Sequence, residues 1–193
     1  MPRKAGRSPE ETRRALLDAA GTVIRTRGVP ASLDDIAKAA GVSKGGLLYH
    51  FPAKDALVRA LAQDILDTFR AEVLAALDPE DTRAGRLTRA YIRASLDTSY
   101  DEVAVRENIA LIAQLISIPE IAALARADAE RWDRDLHDDG LPDHVVTLVV
   151  AAADGASTAP LWGVGLAVAA ARRLEQQLLD LTSDTTDGLS TRN

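Results

Sequence analysis

Apolar residues recur at intervals of three and four along nearly the whole chain, and no stretch alternates apolar with polar in the two-residue rhythm of a strand. Leu16, Ala20, Val23 and Ile24 form one such stripe. It predicts a helix over about residues 9 to 27, which Ser8 caps, Pro9 opens, Glu11 completes as a capping box, and Gly28 and Pro30 end. Ser32 caps a second helix over residues 33 to 40, whose Asp34 and Asp35 suit the positive end of a helix dipole and which Gly41 stops. A third starts at Ser43 and runs to about His50, before Phe51-Pro52 breaks the pattern. The fourth, about 54 to 77, carries Leu57, Leu61, Ile65 and Phe69 at four-residue spacing. Five more are expected near 83–100, 104–117, 120–137, 143–160 and 166–181, with Pro119, Pro142 and Pro160 as punctuation. The fold class is all-α with about nine helices: a three-helix part over residues 1–53, a helical body over 54–182 and a polar tail over 183–193.

Charge sharpens this division. The chain of 193 residues carries a net −6, yet residues 1–55 hold ten Lys and Arg against six acids, and the remainder holds thirteen against twenty-three. The first part is therefore +4 and the body −10, so only one end faces a polyanion. With no cysteine, disulfides, thiolate catalysis and cysteine-based metal sites are excluded. No run of eighteen apolar residues is present, and the basic start leads into a capped amphipathic segment; a cytoplasmic protein is expected.

Two short helices joined by Ala40-Gly41-Val42-Ser43 make a helix-turn-helix, in which Gly41 lets the chain turn and Val42 plugs the gap between helices. Around its third helix, Ser43, Lys44, Tyr49, His50 and Lys54 supply hydroxyl, ammonium, phenol and imidazole groups suited to DNA phosphates. Residues 32–57, Ser-Leu-Asp-Asp-Ile-Ala-Lys-Ala-Ala-Gly-Val-Ser-Lys-Gly-Gly-Leu-Leu-Tyr-His-Phe-Pro-Ala-Lys-Asp-Ala-Leu, resemble the DNA-binding segment of the tetracycline-repressor family. The resemblance implies that the third helix enters the major groove of double-stranded DNA, that Tyr49, His50 and Lys54 touch phosphate, and that Ser32 sits at a backbone-contacting cap. Ala53 departs from the pattern, which has a small polar cap there, at a local cost of about 1 kcal/mol.

Within the reading helix, Ser43, Lys44 and Leu47 are the expected base contacts, Lys44 toward guanine acceptors and Leu47 toward a thymine methyl, while Leu48 and Phe51 are expected in the core. Gly45 and Gly46 each cost that helix roughly 1 kcal/mol relative to alanine and let the backbone approach DNA closely. So sparse an alphabet calls for help from DNA shape and from a basic arm of Arg3, Lys4 and Arg7.

For the acidic body, the resemblance implies a homodimer through the last two helices, a palindromic operator and a small-molecule effector whose binding releases DNA, with the fourth helix as the lever. Val145, Val146, Leu148, Val149, Ala152, Ala153 and Ala156, and then Leu174, Leu178 and Leu181, are apolar enough for such packing. Polar or aromatic residues interrupting apolar helices mark the pocket candidates: Tyr91, Ser95, Tyr100, Asn108, Gln114, Trp132 and Trp162. Asp133 and His137 stand one helical turn apart with Asp138 and Asp139 following, but no second histidine lies at ligand spacing, so neither metal nor cofactor is expected. No nucleophile elbow or phosphate loop is present, which argues against an enzyme. The alternative keeps the DNA-binding part and makes the body a dimerisation or protein-binding module without ligand sensing.

Overall fold

The computed structural model describes residues 7–97, 102–163 and 165–190, with the side chains of 102, 161, 162 and 184–190 outside the description. Nine α-helices and one short 3-10 turn are found among them, and no strand. The helices are α1 (Pro9–Arg27), α2 (Leu33–Ala40), α3 (Lys44–His50), α4 (Lys54–Ala75), α5 (Arg86–Ser95), α6 (Glu102–Leu115), α7 (Pro119–His137), α8 (Asp143–Thr158) and α9 (Val168–Ser190). No single helix among the described residues is long and apolar enough to cross a membrane. The chain divides into two compact units, one of residues up to Ile65 with Ala110–Leu124, the other of Leu66–Ile109 with the residues from Ala125 on.

In the first unit the apolar stripe of α1 does what its spacing predicts: Leu16, Ala20, Val23 and Ile24 are buried with Ile36, Leu47, Phe51, Leu57 and Leu61. Leu111, Leu115 and Ile121 complete this core from α6 and α7. Its helix ends are chemically specified. Ser8 Oγ accepts from the Glu11 N–H at 3.1 Å while the Ser8 N–H donates to the Glu11 carboxylate at 2.6 Å, so two otherwise orphaned donors are satisfied together. Gly41, at φ +69°, ends α2 in the left-handed conformation that glycine adopts without a side-chain penalty.

The second unit packs α5, α8 and α9 around a core of Val73, Ala90, Ile92, Leu136, Val145, Val146, Val149, Ala153 and Leu178. The entrance to α5 is built from three segments. Gly85 takes φ +82°, and a Cβ there would stand 2.6 Å from Leu141 Cδ1, so a larger residue would be strained and would have to displace the buried Leu141 side chain. Asp139 accepts from both the N–H and the hydroxyl of Thr88, at 2.7 and 2.9 Å, and so caps a helix from fifty-one positions further along the chain. Asp81 and Arg89 form an ion pair at 2.6 Å with side chains only 3% and 2% exposed. The expected fifth helix near 83–100 is thus shorter, Arg86–Ser95. α9 runs to Ser190, past the expected end near 181 and into the stretch expected as a polar tail; within it Thr182 is buried and donates its hydroxyl to the Leu179 carbonyl at 2.7 Å.

Candidate nucleic-acid interface and ligand cavity

The turn before α3 is closed by backbone bonds from Gly41 N–H to Lys38 O (3.2 Å) and from Val42 N–H to Ala37 O (3.0 Å). Ser43 then caps α3, its hydroxyl accepting from Gly46 N–H at 3.0 Å. From this start, Leu47 falls inward and is fully buried, as is Phe51 at the end of the helix. Lys44, Gly45, Leu48 and Tyr49 are all exposed, and positions i, i+1, i+4 and i+5 share one face of a helix. Tyr49 is 82% exposed. A phenol so fully in water, beside a half-buried His50 whose ring meets it edge-on at 5.2 Å, contributes little to the core.

The leucine assignment of the sequence reading is therefore reversed. Leu47, expected at a thymine methyl, is core, and Leu48, expected in the core, is the leucine on the open face. The two differ by 100° around the helix, and with glycines at 45 and 46 the pattern before them carries no apolar mark to fix the phase.

Charge on this surface is partly engaged. Lys44 Nζ donates to Asp34 at 2.9 Å across the helix-turn-helix, with both side chains more than half exposed, so the pair contributes no more than about 1 kcal/mol and yields readily to a phosphate or base. Ser32, also exposed, gives its hydroxyl to Asp35 at 2.7 Å and accepts from the Asp35 N–H at 3.2 Å. That hydroxyl, followed by the Arg27 guanidinium, holds the Asp35 carboxyl below the ordinary carboxylate range. Arg7 donates to the Ala40 carbonyl at 2.9 Å, at the last turn of α2, while Arg3 and Lys4 lie outside the described residues. Lys54 is half-buried at the start of α4, where Ala53 offers only its carbonyl, to Leu57 N–H at 3.2 Å.

The second unit holds a cavity of about 500 Å³. Its floor is apolar and aromatic: Trp132, Tyr91, Leu136 and Val146 are buried, and Phe69, Tyr91 and Trp132 meet pairwise edge-to-face at 5.3–5.8 Å. Its more open wall carries Asp133, Thr147 and Asp154. Tyr91 donates its hydroxyl to Asp154 at 2.6 Å. Partial burial pushes the Asp154 carboxyl up, with the Tyr91 hydrogen bond acting against it; burial, joined by the same carboxylate, pushes the Tyr91 phenol up as well. Arg70 lies over the indole of Trp132 at 3.9 Å and is held by Asp135 at 2.8 Å and Asp128 at 3.8 Å.

Of the seven pocket candidates, Tyr91 and Trp132 line this cavity. Ser95 is not among the lining residues, and its buried hydroxyl finds no hydrogen-bond partner among the described residues. Asn108 is exposed on α6, and Gln114 belongs to the first unit, where its Oε1 lies 3.7 Å from the position of a Cβ on Gly28. Tyr100 and the Trp162 side chain lie outside the description. Sequence reasoning missed Phe69, Asp128 and Asp154 because Phe69 reads as one more member of the α4 stripe and the aspartates as solvated charges. The acids around His137 have local roles: Asp133 lies 3.4 Å from its Nδ1, and Asp139 caps α5. The apolar residues proposed for dimer packing divide as well, with Val145, Val146, Val149, Ala153 and Leu178 in the unit's own core and Leu148 and Leu181 exposed.

Comparison with known proteins places these two sites in a family. A model described as "Tetracyclin repressor-like, C-terminal domain" matches residues 85–183, and one described as "Bacterial regulatory proteins, tetR family" matches residues 16–61. The chain belongs to the tetracycline-repressor family. Among curated TetR-family relatives, the HTH-type transcriptional repressor KstR2 of Rhodococcus jostii is 34% identical over 110 residues, 54% of this chain and 50% of that protein. The HTH-type transcriptional regulator RutR of Escherichia coli K12 is 37% identical over 99 residues, 51% of this chain and 46% of that protein. The matched stretch thus spans about half the length of these curated relatives. The fold extends the TetR likeness over nearly the whole chain: the TetR-family transcriptional regulator SCO4454 of Streptomyces coelicolor superposes with a TM-score of 0.68 at 19% identity, covering 91% of this chain and 96% of that one.

Proposed function

We propose that this TetR-family protein is a sequence-specific DNA-binding repressor, released from a palindromic operator by a small molecule held in the cavity of its second unit. The observation that carries the first half is the exposed face of α3, where Lys44, Gly45, Leu48 and Tyr49 stand together in the basic part of the chain with no core role. A reading helix needs that arrangement: donors and apolar groups for base edges, flanked by phosphate contacts from Ser32, Tyr49, His50 and Lys54. The family's naming supports repression, since KstR2 is called a transcriptional repressor. Homodimerisation through α8 and α9 is supported by the apolar groups they leave exposed, Leu148 and Leu181, and would set two reading helices about 34–36 Å apart, one turn of DNA. Ligand control is supported by the cavity; a tenfold loss of operator affinity on ligand binding requires a coupling of only about 1.4 kcal/mol.

Gly45 provides the test of the reading face. A Cβ there meets nothing closer than the Ser43 hydroxyl at 4.0 Å, so alanine fits the free protein and should raise its stability by up to about 1 kcal/mol through helix propensity. The same methyl stands where the backbone approaches DNA. Gly45→Ala is expected to raise the urea midpoint while lowering affinity for the operator at least tenfold. A more stable variant with undiminished affinity would remove α3 from the groove.

A further inference from the structure

The lining of the cavity has a definite electrostatic sign. Three aspartates, Asp128, Asp133 and Asp154, line it together with His137, whose Nδ1 lies 3.4 Å from Asp133, and no lysine or arginine does. The Arg70 guanidinium is stacked on Trp132 and paired chiefly with Asp135 at 2.8 Å, standing 3.8 Å from Asp128 without a hydrogen bond to it. Beneath the carboxylates lies the edge-to-face cluster of Phe69, Tyr91 and Trp132, whose ring faces are the negative ends of their quadrupoles. An anion entering here meets the repulsion of the carboxylates, and a neutral ligand leaves the Asp154 carboxylate with the Tyr91 hydroxyl as its hydrogen-bond partner among the described residues. A cation on an apolar body suits the whole lining: its charge meets the aspartates, and its body fills the apolar volume.

We propose that the cavity takes an organic cation, a protonated amine or quaternary ammonium carried on an aromatic or aliphatic body, with Asp128 and Asp154 as the recognition carboxylates. This rests on the reading of the cavity as the effector site. At about 500 Å³ the space suits a molecule of one ring and a few alkyl arms. The hydrogen bond from Tyr91 keeps the Asp154 carboxylate fixed at the wall, so the site is pre-organised rather than assembled by the ligand.

Calorimetric titration of the full chain with benzyltriethylammonium, 4-phenylbutyrate and 4-phenyl-1-butanol tests the sign directly. The cation is expected to bind at least tenfold more tightly than the anion or the alcohol, and to weaken as salt is raised because part of the wall is open to solvent. Asp128→Asn with Asp154→Asn, which keeps an acceptor for Tyr91, should cost the cation at least tenfold and leave the alcohol within twofold. Should that double variant lose its melting transition, Asp133→Asn, at a side chain 73% exposed, serves in its place with an expected threefold loss. Equal or tighter binding of the anion or alcohol, no cation binding at millimolar concentration, or indifference to the asparagines overturns the proposal. Failure to select any DNA duplex, with the cation preference intact, would instead overturn the repressor reading alone.

Discussion

Replacing Asp81 with alanine is expected to lower the unfolding free energy by about 3–5 kcal/mol, because it leaves the Arg89 guanidinium charged, buried and without its carboxylate. Arg89 is 2% exposed at its side chain and bonds Asp81 at 2.6 Å, its remaining donors going to the Ala84 and Arg83 carbonyls. Those carbonyls carry no net charge and cannot replace the carboxylate. The same pair makes stability depend on pH. Arg83, reinforced by Arg89, holds the folded-state Asp81 carboxyl far below its ordinary value. A carboxyl depressed by folding contributes fully above its unfolded pKa, about 3.9, and loses that contribution as pH falls toward the folded value. Urea titrations from pH 7 down to pH 2 check both points: the native chain should weaken steeply below pH 4, and Asp81→Ala should start lower and lack that part of the fall. A loss under 1 kcal/mol at pH 7 would mean that Arg89 is reached by water.

Leu47→Ala is expected to cost about 2–5 kcal/mol, the range for emptying a fully buried leucine site, whereas Leu48→Ala should change stability by no more than about 0.5 kcal/mol. Their effects on DNA should divide the other way at a temperature where both variants are folded. Leu48 lies on the open face between Lys44 and Tyr49, so its truncation should weaken operator binding and relax choice at one base position. Urea midpoints and operator titrations on the two variants decide the register of α3, and a Leu48→Ala variant as unstable as Leu47→Ala would contradict it.

Helix placement was legible because its signals are local. The Ser8–Glu11 box, the glycine at 41 and the break at Phe51-Pro52 act within a turn or two of the residues that carry them, and the bounds of α1, α2 and α3 follow. What stayed hidden depends on partners distant in sequence. Asp139 reads as one of a run of acids until Thr88, fifty-one positions away, supplies the donors it caps. Arg89 reads as a solvated cation in an amphipathic helix, and only the turn at Asp81 makes it core. In the reading helix the phase was lost where adjacent leucines follow two glycines, since either could turn inward by composition alone. The cavity followed the same rule: Tyr91 and Trp132 stood out as aromatics, while Phe69 and Asp154 acquire meaning only through the rings and hydroxyl they meet.

Sequence-specific binding by this chain rests on α3. Selection of tight binders from a random duplex library, at one fixed salt concentration, with the intact chain and with a Lys44→Ala, Tyr49→Ala double variant, tests it most directly. Both side chains are exposed, so the double variant should fold normally. The intact chain is expected to enrich one palindromic site, with half-sites a single DNA turn apart, and the double variant to lose that enrichment. No enrichment by the intact chain, or the same site recovered without Lys44 and Tyr49, would contradict the account.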